Sequence, residues 1–209
     1  MKIRIRYNSP VILTFAIICA VVLLIDNISG GWLISNFFTL QPGFNAGFLS
    51  WMRMLTYVIG HANWTHLISN FSFILLIGPV LEEKYGSLPI LAMMVVTALA
   101  TAVLNLVLVH TGLLGASGIV FMLVLLSSFT NIRQGEIPIT FILIVALYLV
   151  REFVNALTPN PVSQLAHIAG GLIGGAFGFL FSKAPAAAVG APSLPGSDPV
   201  PQTKVQKKE

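Results

Sequence analysis

Apolar residues dominate six separate stretches of the chain, and each stretch is long enough to cross a lipid bilayer. A helix needs roughly 20 residues to span about 30 Å of hydrocarbon. Charged residues lie mostly at the ends of these stretches or between them. The pattern predicts membrane-spanning helices over residues 9–28, 64–82, 88–109, 113–131, 136–154 and 163–182.

The segments outside the predicted spans have different compositions. Residues 29–63 are rich in Phe, Trp and Gly and poor in charge, which is typical of a loop at the membrane interface. Residues 183–209 are rich in Pro, Ala and Ser and predict a disordered tail. We therefore expect a single membrane domain over residues 9–182, preceded by a short segment of residues 1–8.

Basic residues at both ends of the chain predict its orientation. The positive-inside rule places the N-terminal group in the cytoplasm, and six crossings return the C-terminal group to the same side. The basic residues concerned are Lys2, Arg4 and Arg6 at one end and Lys204, Lys207 and Lys208 at the other. A signal peptide is the alternative for the first span, but the stretch is long and lacks a clear cleavage site, so a retained span is favoured.

Composition excludes several classes of protein. Only 9% of the residues are charged, against about 25% in a soluble domain. The net charge of +4 is confined largely to the two ends, which argues against a nucleic-acid partner. Cys19 is the single cysteine, so no disulfide can form within the chain, and it lies inside an apolar run.

Three residues whose side chains can act in catalysis lie near the beginnings of alternate spans. With the N-terminus inside, the second, fourth and sixth spans all begin at the outer face, and His66, Ser117 and His167 lie near these beginnings. We therefore expect the three side chains at similar depth, within about two helical turns of the outer surface.

Small residues predict close packing between the fourth and sixth spans. The glycines concerned are Gly115 and Gly118 beside Ser117, and Gly170 and Gly174 on the same helical face as His167. Small residues let membrane helices approach closely. The contact would bring the Ser117 hydroxyl to the His167 imidazole, which is suited to take its proton. We predict Ser117 as a nucleophile and His167 as its general base. The alternative for His167 is a polar contact between helices.

Hydrogen-bond donors for a developing oxyanion are predicted beside the serine. The backbone amide of Ser117 lacks an intrahelical partner if this residue lies in the first turn of a helix. His66 and Asn70 are spaced i, i+4, share a helical face and both carry N–H donors. Acyl transfer requires such donors. The alternative is a buried His–Asn pair that joins two helices.

These motifs together resemble the rhomboid intramembrane serine proteases. The resemblance rests on "GASG" around Ser117, "AHIAGGLIGG" around His167 and "HLISN" from His66 to Asn70, and it covers residues 53–182. It implies an all-α polytopic membrane protein with a six-transmembrane-helix rhomboid-like bundle. It also implies a serine endopeptidase with a Ser–His dyad and no cofactor or metal. The expected substrates are single-span proteins of a prokaryotic cell membrane, cut near its outer face.

Other positions match the family or depart from it. The structural matches are Arg53, Glu82 and Gly86. Phe121 stands where members often have a tyrosine stacked on the catalytic histidine, and stacking is expected to persist without the hydroxyl. Met52 stands where a tryptophan is usual, although Trp51 is adjacent.

Rival classes fit the sequence less well. A zinc protease would carry an H-E-x-x-H helix, which is absent. An aspartyl protease would need two membrane aspartates, and Asp26 is the one candidate. An inactive rhomboid-like scaffold that binds membrane helices is the alternative function, although the chain keeps both Ser117 and His167. The sequence predicts no oligomeric state and leaves open whether Arg151 or Glu152 assists the dyad.

Overall fold

The computed structural model describes residues 7–129, 139, 142–143, 146–147, 150 and 164–181. The helices are α1 (Pro10–Ile28), α2 (Trp32–Phe37), α3 (Phe48–Thr56), α4 (Trp64–Tyr85), α5 (Ser87–Leu104), α6 (Ser117–Phe129) and α7 (Gln164–Phe181). A π-helical turn, Asn105–Val109, continues α5. Within this part of the chain, β pairing is limited to one antiparallel bridge between Leu40 and Leu113.

Three of the described helices have the length and composition to cross a membrane. They are Pro10–Ile28, Trp64–Tyr85 and Ser87–Leu108, and shorter apolar stretches are found at Ser117–Ser128 and Ile168–Phe177. These segments define a multi-pass helical membrane protein. Most of the predicted fifth span, residues 136–154, lies outside the described residues, although those described within it are helical. Six spans therefore stay a prediction, and the predicted tail of residues 183–209 lies outside the described residues as well.

The first helix packs along α4 and is capped by a buried carboxylate. A β-carbon added to Gly78 would lie 2.8 Å from Cδ1 of Ile12, so the two helices touch closely there. Glu82 is 3% exposed and accepts hydrogen bonds of 3.0 Å from the backbone nitrogens of Val11 and Ile12. It also accepts one of 2.7 Å from Oγ of Ser87. Because the first N–H groups of a helix lack intrahelical partners, Glu82 links the start of α1 to the α4–α5 corner.

Residues 29–63, which the sequence predicts as a loop at the membrane interface, contain the two short helices α2 and α3. Nε of Arg53 in α3 donates to the carbonyl oxygen of Asn36 in α2 at 2.8 Å, and Nη2 donates to the same oxygen. Oγ1 of Thr56 donates to the carbonyl oxygen of Phe37 at 2.6 Å. These bonds tie α3 to the C-terminal end of α2, where a cation is favourable. Aromatic side chains on this segment stay exposed, namely Trp32, Phe44, Phe48 and Trp51.

Helix α6 lies in the middle of the described bundle and packs against α4, α5 and α7. Its buried residues include Ile119, Met122, Leu123 and Leu126. The predicted fourth span begins at residue 113, whereas α6 begins at Ser117. Leu113 is engaged in the bridge to Leu40, and Gly115 has a φ of +111°, which interrupts a right-handed helix. The apolar run therefore extends into the preceding loop.

Candidate active site

The loop that precedes Ser117 is fixed by backbone hydrogen bonds to distant parts of the chain. Leu113 and Leu40 exchange two N–H···O bonds of 2.9 Å, and the amide of Gly115 donates to the carbonyl oxygen of Tyr57 at 2.9 Å. Glycine is suited to the positive φ at position 115 because it has no β-carbon. Ser117 follows as the first residue of α6 and is partly buried. The loop thus presents Ser117 in a turn whose backbone amides lack intrahelical partners.

His66 and Asn70 lie one turn apart on α4, and both reach the space beside Gly115. A β-carbon added to Gly115 would lie 2.8 Å from Nε2 of His66 and 3.8 Å from Nδ2 of Asn70. His66 is partly buried, whereas Asn70 is 7% exposed. Nδ2 of Asn70 is buried without a hydrogen-bond partner among the described residues. A buried donor without a partner is costly, so an acceptor that enters this space would gain a favourable bond.

Two contacts hold His66, and the second of them determines which ring nitrogen carries its proton. Oδ1 of Asn63 accepts a 2.8 Å bond from the backbone nitrogen of His66 and caps α4. The backbone nitrogen of Ala62 donates to Nδ1 of His66 at 3.4 Å. Because a backbone N–H only donates, Nδ1 must carry the lone pair, and the neutral ring holds its proton on Nε2. The donor edge of His66 therefore faces Gly115.

Helices α6 and α7 pack in parallel through their small residues. A β-carbon added to Gly170 would lie 2.9 Å from Cα of Gly118, and one added to Gly174 would lie 2.7 Å from Cα of Met122. The contact advances four residues along each helix, so the two helices run in the same direction and in register. Glycine is needed here because any side chain would meet backbone.

His167 lies in the first turn of α7, three residues before Gly170. Its side chain is outside the described part of the chain, so its predicted contacts with Ser117 and Phe121 stay predictions. Phe121 is buried, and its Cδ1 would lie 2.8 Å from a β-carbon added to Gly171. The aromatic ring therefore faces α7 about one turn beyond His167. Arg151 and Glu152 lie outside the described residues too.

The sequence reasoning missed His61, which is completely buried beside His66. The two ring centroids are 5.1 Å apart at an interplanar angle of 63°. The pKa of His61 is lowered to about 4, chiefly because the ring is buried; the hydrogen bond to the Ile59 carbonyl raises the pKa in part, and proximity to His66 makes a smaller lowering contribution. Within the described residues, no cluster of three His, Cys, Asp or Glu could hold a metal ion. The available signal was the first histidine in "GHANWTH", five residues before His66.

The described structure is that of a multi-pass helical membrane protein with a serine at the start of a buried helix. A family model of the Rhomboid domain matches residues 49–184. Rhomboid-like protein 11, chloroplastic, of Arabidopsis thaliana is 27% identical over 158 residues, which cover 68% of this chain and 56% of the plant protein. Rhomboid protease GlpG of Haemophilus influenzae is 24% identical over 134 residues, which cover 63% of this chain and 70% of the relative.

The chain belongs to the rhomboid family, as the motifs around Ser117, His167 and His66 predicted. The match begins at residue 49, within α3, and extends beyond α7. The chain spans little more than half of the plant relative's length. The relative from Haemophilus influenzae is named a protease, whereas the name of the plant relative states only that it is rhomboid-like and chloroplastic.

Proposed function

We propose that this protein is an intramembrane serine endopeptidase in which Ser117 is the nucleophile and His167 the general base. The observation that carries the proposal is the parallel register of α6 and α7. Gly118 follows Ser117 directly and touches Gly170, which is one helical turn after His167. Both proposed dyad residues thus belong to the first turns of two helices that begin at the same end of the bundle.

The proposed reaction proceeds through an acyl-enzyme. Oγ of Ser117 attacks the scissile carbonyl carbon while His167 takes the hydroxyl proton. His167 then gives this proton to the departing amine as the peptide bond breaks. Water attacks the resulting ester in the same way, with His167 again as the base, and restores the free serine. Each half-reaction passes through a tetrahedral intermediate with a negative oxygen.

The negative oxygen would be stabilised by three donors around Gly115. These are the backbone amide of Ser117, Nε2–H of His66 and the Nδ2 amide of Asn70. The tautomer imposed on His66 by Ala62 and the unpartnered Nδ2 of Asn70 both support this role. Donors that are already oriented cost no reorganisation when the charge develops, which makes this a large contribution to catalysis.

The proposed substrates are membrane-anchored proteins, chiefly those with a single span. A protease needs an extended strand at its serine, so substrates with helix-weakening Gly or Pro beside the cleavage site should be cut best. We propose that both termini lie in the cytoplasm and that the site opens towards the outer face of a prokaryotic cell membrane. The lipid bilayer is then the medium through which the substrate arrives.

The test is cleavage of single-span fluorogenic substrates by the purified full-length chain in lipid bilayers. Ser117→Ala and His167→Ala should each abolish cleavage while leaving the helical circular dichroism unchanged. Ser127→Ala is the matched control, because this serine lies on the same helix and donates to the carbonyl of Val124. Wild-type protein that binds these substrates without cutting them would identify the inactive scaffold instead.

A further inference from the structure

The buried residue His61 is held in one orientation by its own loop. Nδ1 of His61 lies 3.0 Å from the carbonyl oxygen of Ile59. Because a carbonyl oxygen only accepts, Nδ1 carries the proton and Nε2 carries the lone pair of the neutral ring. Nε2 is buried without a hydrogen-bond partner among the described residues. The ring is thus fixed on one edge and has an unsatisfied nitrogen on the other.

The fixed ring of His61 packs against His66 and against Phe71. The centroid separations are 5.1 Å to His66 and 5.8 Å to Phe71. The same loop supplies the Ala62 amide that donates to Nδ1 of His66. His66 is therefore oriented by a ring contact and a backbone donor that come from consecutive residues.

Packing alone does not account for a histidine at this position. A phenylalanine would fill a similar volume without burying an unsatisfied nitrogen, whose burial is unfavourable. What phenylalanine lacks is the Nδ1–H bond to Ile59, which fixes the rotation of the ring. The geometry therefore indicates that this position requires a ring held in one orientation, and not merely a side chain of this volume.

We propose that His61 is a positioning residue whose fixed ring holds the His66 imidazole with its Nε2–H directed into the space beside Gly115. The proposal rests on the proposed function, because it assigns His61 an effect that passes through the oxyanion donor His66. His61 itself would touch neither the substrate nor the reacting atoms.

Two substitutions test the contribution of the His61 ring separately from that of its hydrogen bond to Ile59. His61→Phe keeps an aromatic ring but cannot donate to Ile59, whereas His61→Asn keeps an amide donor near the position of Nδ1 but lacks the ring. We expect each variant to lower kcat by about tenfold at nearly unchanged KM. This is less than the roughly 10²- to 10³-fold loss for removal of an oxyanion donor.

The decisive experiment is a double-mutant cycle with His66→Ala, measured as kcat in lipid bilayers. If His61 acts through His66, adding His61→Phe to His66→Ala should change kcat by less than about twofold. A full tenfold loss in the double variant would overturn the proposal, since the effect would then be independent of His66. If His61→Phe does not fold, as judged by thermal unfolding, His61→Asn completes the same cycle.

The ¹⁵N chemical shifts of the imidazoles supply a second readout that a purely structural role would not change. Wild-type His66 should show the Nε2–H tautomer. His61→Phe removes the hydrogen bond to Ile59 that holds the loop carrying the Ala62 amide, so it should give a mixture of His66 tautomers. An unchanged His66 spectrum together with an unchanged kcat would overturn the positioning role. The proposed function fails separately, if Ser117→Ala still cleaves or if His66→Ala leaves kcat unaltered.

Discussion

Nε2 of His66 approaches Gly115 so closely that a β-carbon there would lie 2.8 Å from this nitrogen. Gly115 also has a φ of +111°, which L side chains rarely adopt. The His66 side chain on α4 therefore fits closely against the loop before Ser117. This fit depends on the absence of a side chain at Gly115.

Gly115→Ala should displace either His66 or the loop before Ser117. We expect kcat to fall by about 10² or more, as for loss of an oxyanion donor, and stability to fall by about 1–3 kcal/mol from backbone strain. Gly112→Ala is the control, since a β-carbon there would meet its nearest atom, the Leu40 oxygen, at 3.9 Å. Equal activities of the two variants in the cleavage assay would contradict the importance of this contact.

Gly170→Ala should destabilise the contact between α6 and α7. The new methyl group would meet the backbone of Gly118, which cannot move without shifting the helix. We expect a loss of about 1–3 kcal/mol, as in other overpacked interiors. Gly171→Ala should be milder, because its nearest atoms are side-chain atoms of Phe121 and Leu125, which can rotate. Unfolding in detergent by heat or denaturant would rank the two, and the reverse order would refute the described packing.

The carboxylate of Glu82 should contribute to stability rather than to catalysis. Glu82→Gln removes the charge from an acceptor of two backbone amides and the Ser87 hydroxyl. Hydrogen bonds to charged groups contribute about 1.5–3 kcal/mol, so the unfolding transition should shift to a lower temperature. The neighbouring residue Glu83 is exposed, and Glu83→Gln should have little effect. Equal effects of the two substitutions would exclude the capping role.

How far the sequence predicted this fold depends on whether a feature is local. Apolar runs predicted α1, α4 and α5 to within a few residues, because span length is fixed by the bilayer. Glycines at helical spacing predicted the contact of α7 with α6, since small residues govern close packing. The start of α6 was predicted four residues too early, because the bridge between Leu40 and Leu113 joins distant parts of the chain.

In the candidate site too, local features followed from the sequence, whereas features that depend on three-dimensional contacts did not. The spacing of His66 and Asn70 on one helical face followed from the sequence alone. The tautomer of His66 did not, because it depends on the Ala62 amide in three dimensions. His61 was overlooked because nothing in its local pattern shows that it is buried. The roles of Ser117 and His167 were predicted from their motifs, and they stay predictions.

The stability of the protein should depend on pH through His61. The folded-state pKa of His61 is about 4, below the ordinary value of 6.5. The unfolded chain therefore binds a proton more readily, and the stability present above pH 6.5 is lost as the pH falls towards 4. His66 is the titratable group that faces His61 among the described residues.

His61→Phe should flatten this pH dependence. The difference in unfolding free energy between pH 7 and pH 4 should shrink by about 3 kcal/mol, since no histidine then has to be buried in its neutral form. Denaturant unfolding in detergent over this range would measure the change. Identical pH dependence in both proteins would contradict the buried, neutral state of His61.

The most direct test of the central claim is covalent modification of Ser117 by a fluorophosphonate, located by mass spectrometry of the intact protein and its peptides. An activated serine displaces fluoride from phosphorus and forms an O–P bond, while its proton passes to the base. We expect modification at Ser117, its loss in His167→Ala and its retention in Glu83→Gln. Modification of another serine instead, or undiminished labelling of Ser117 in His167→Ala, would contradict the Ser117–His167 dyad.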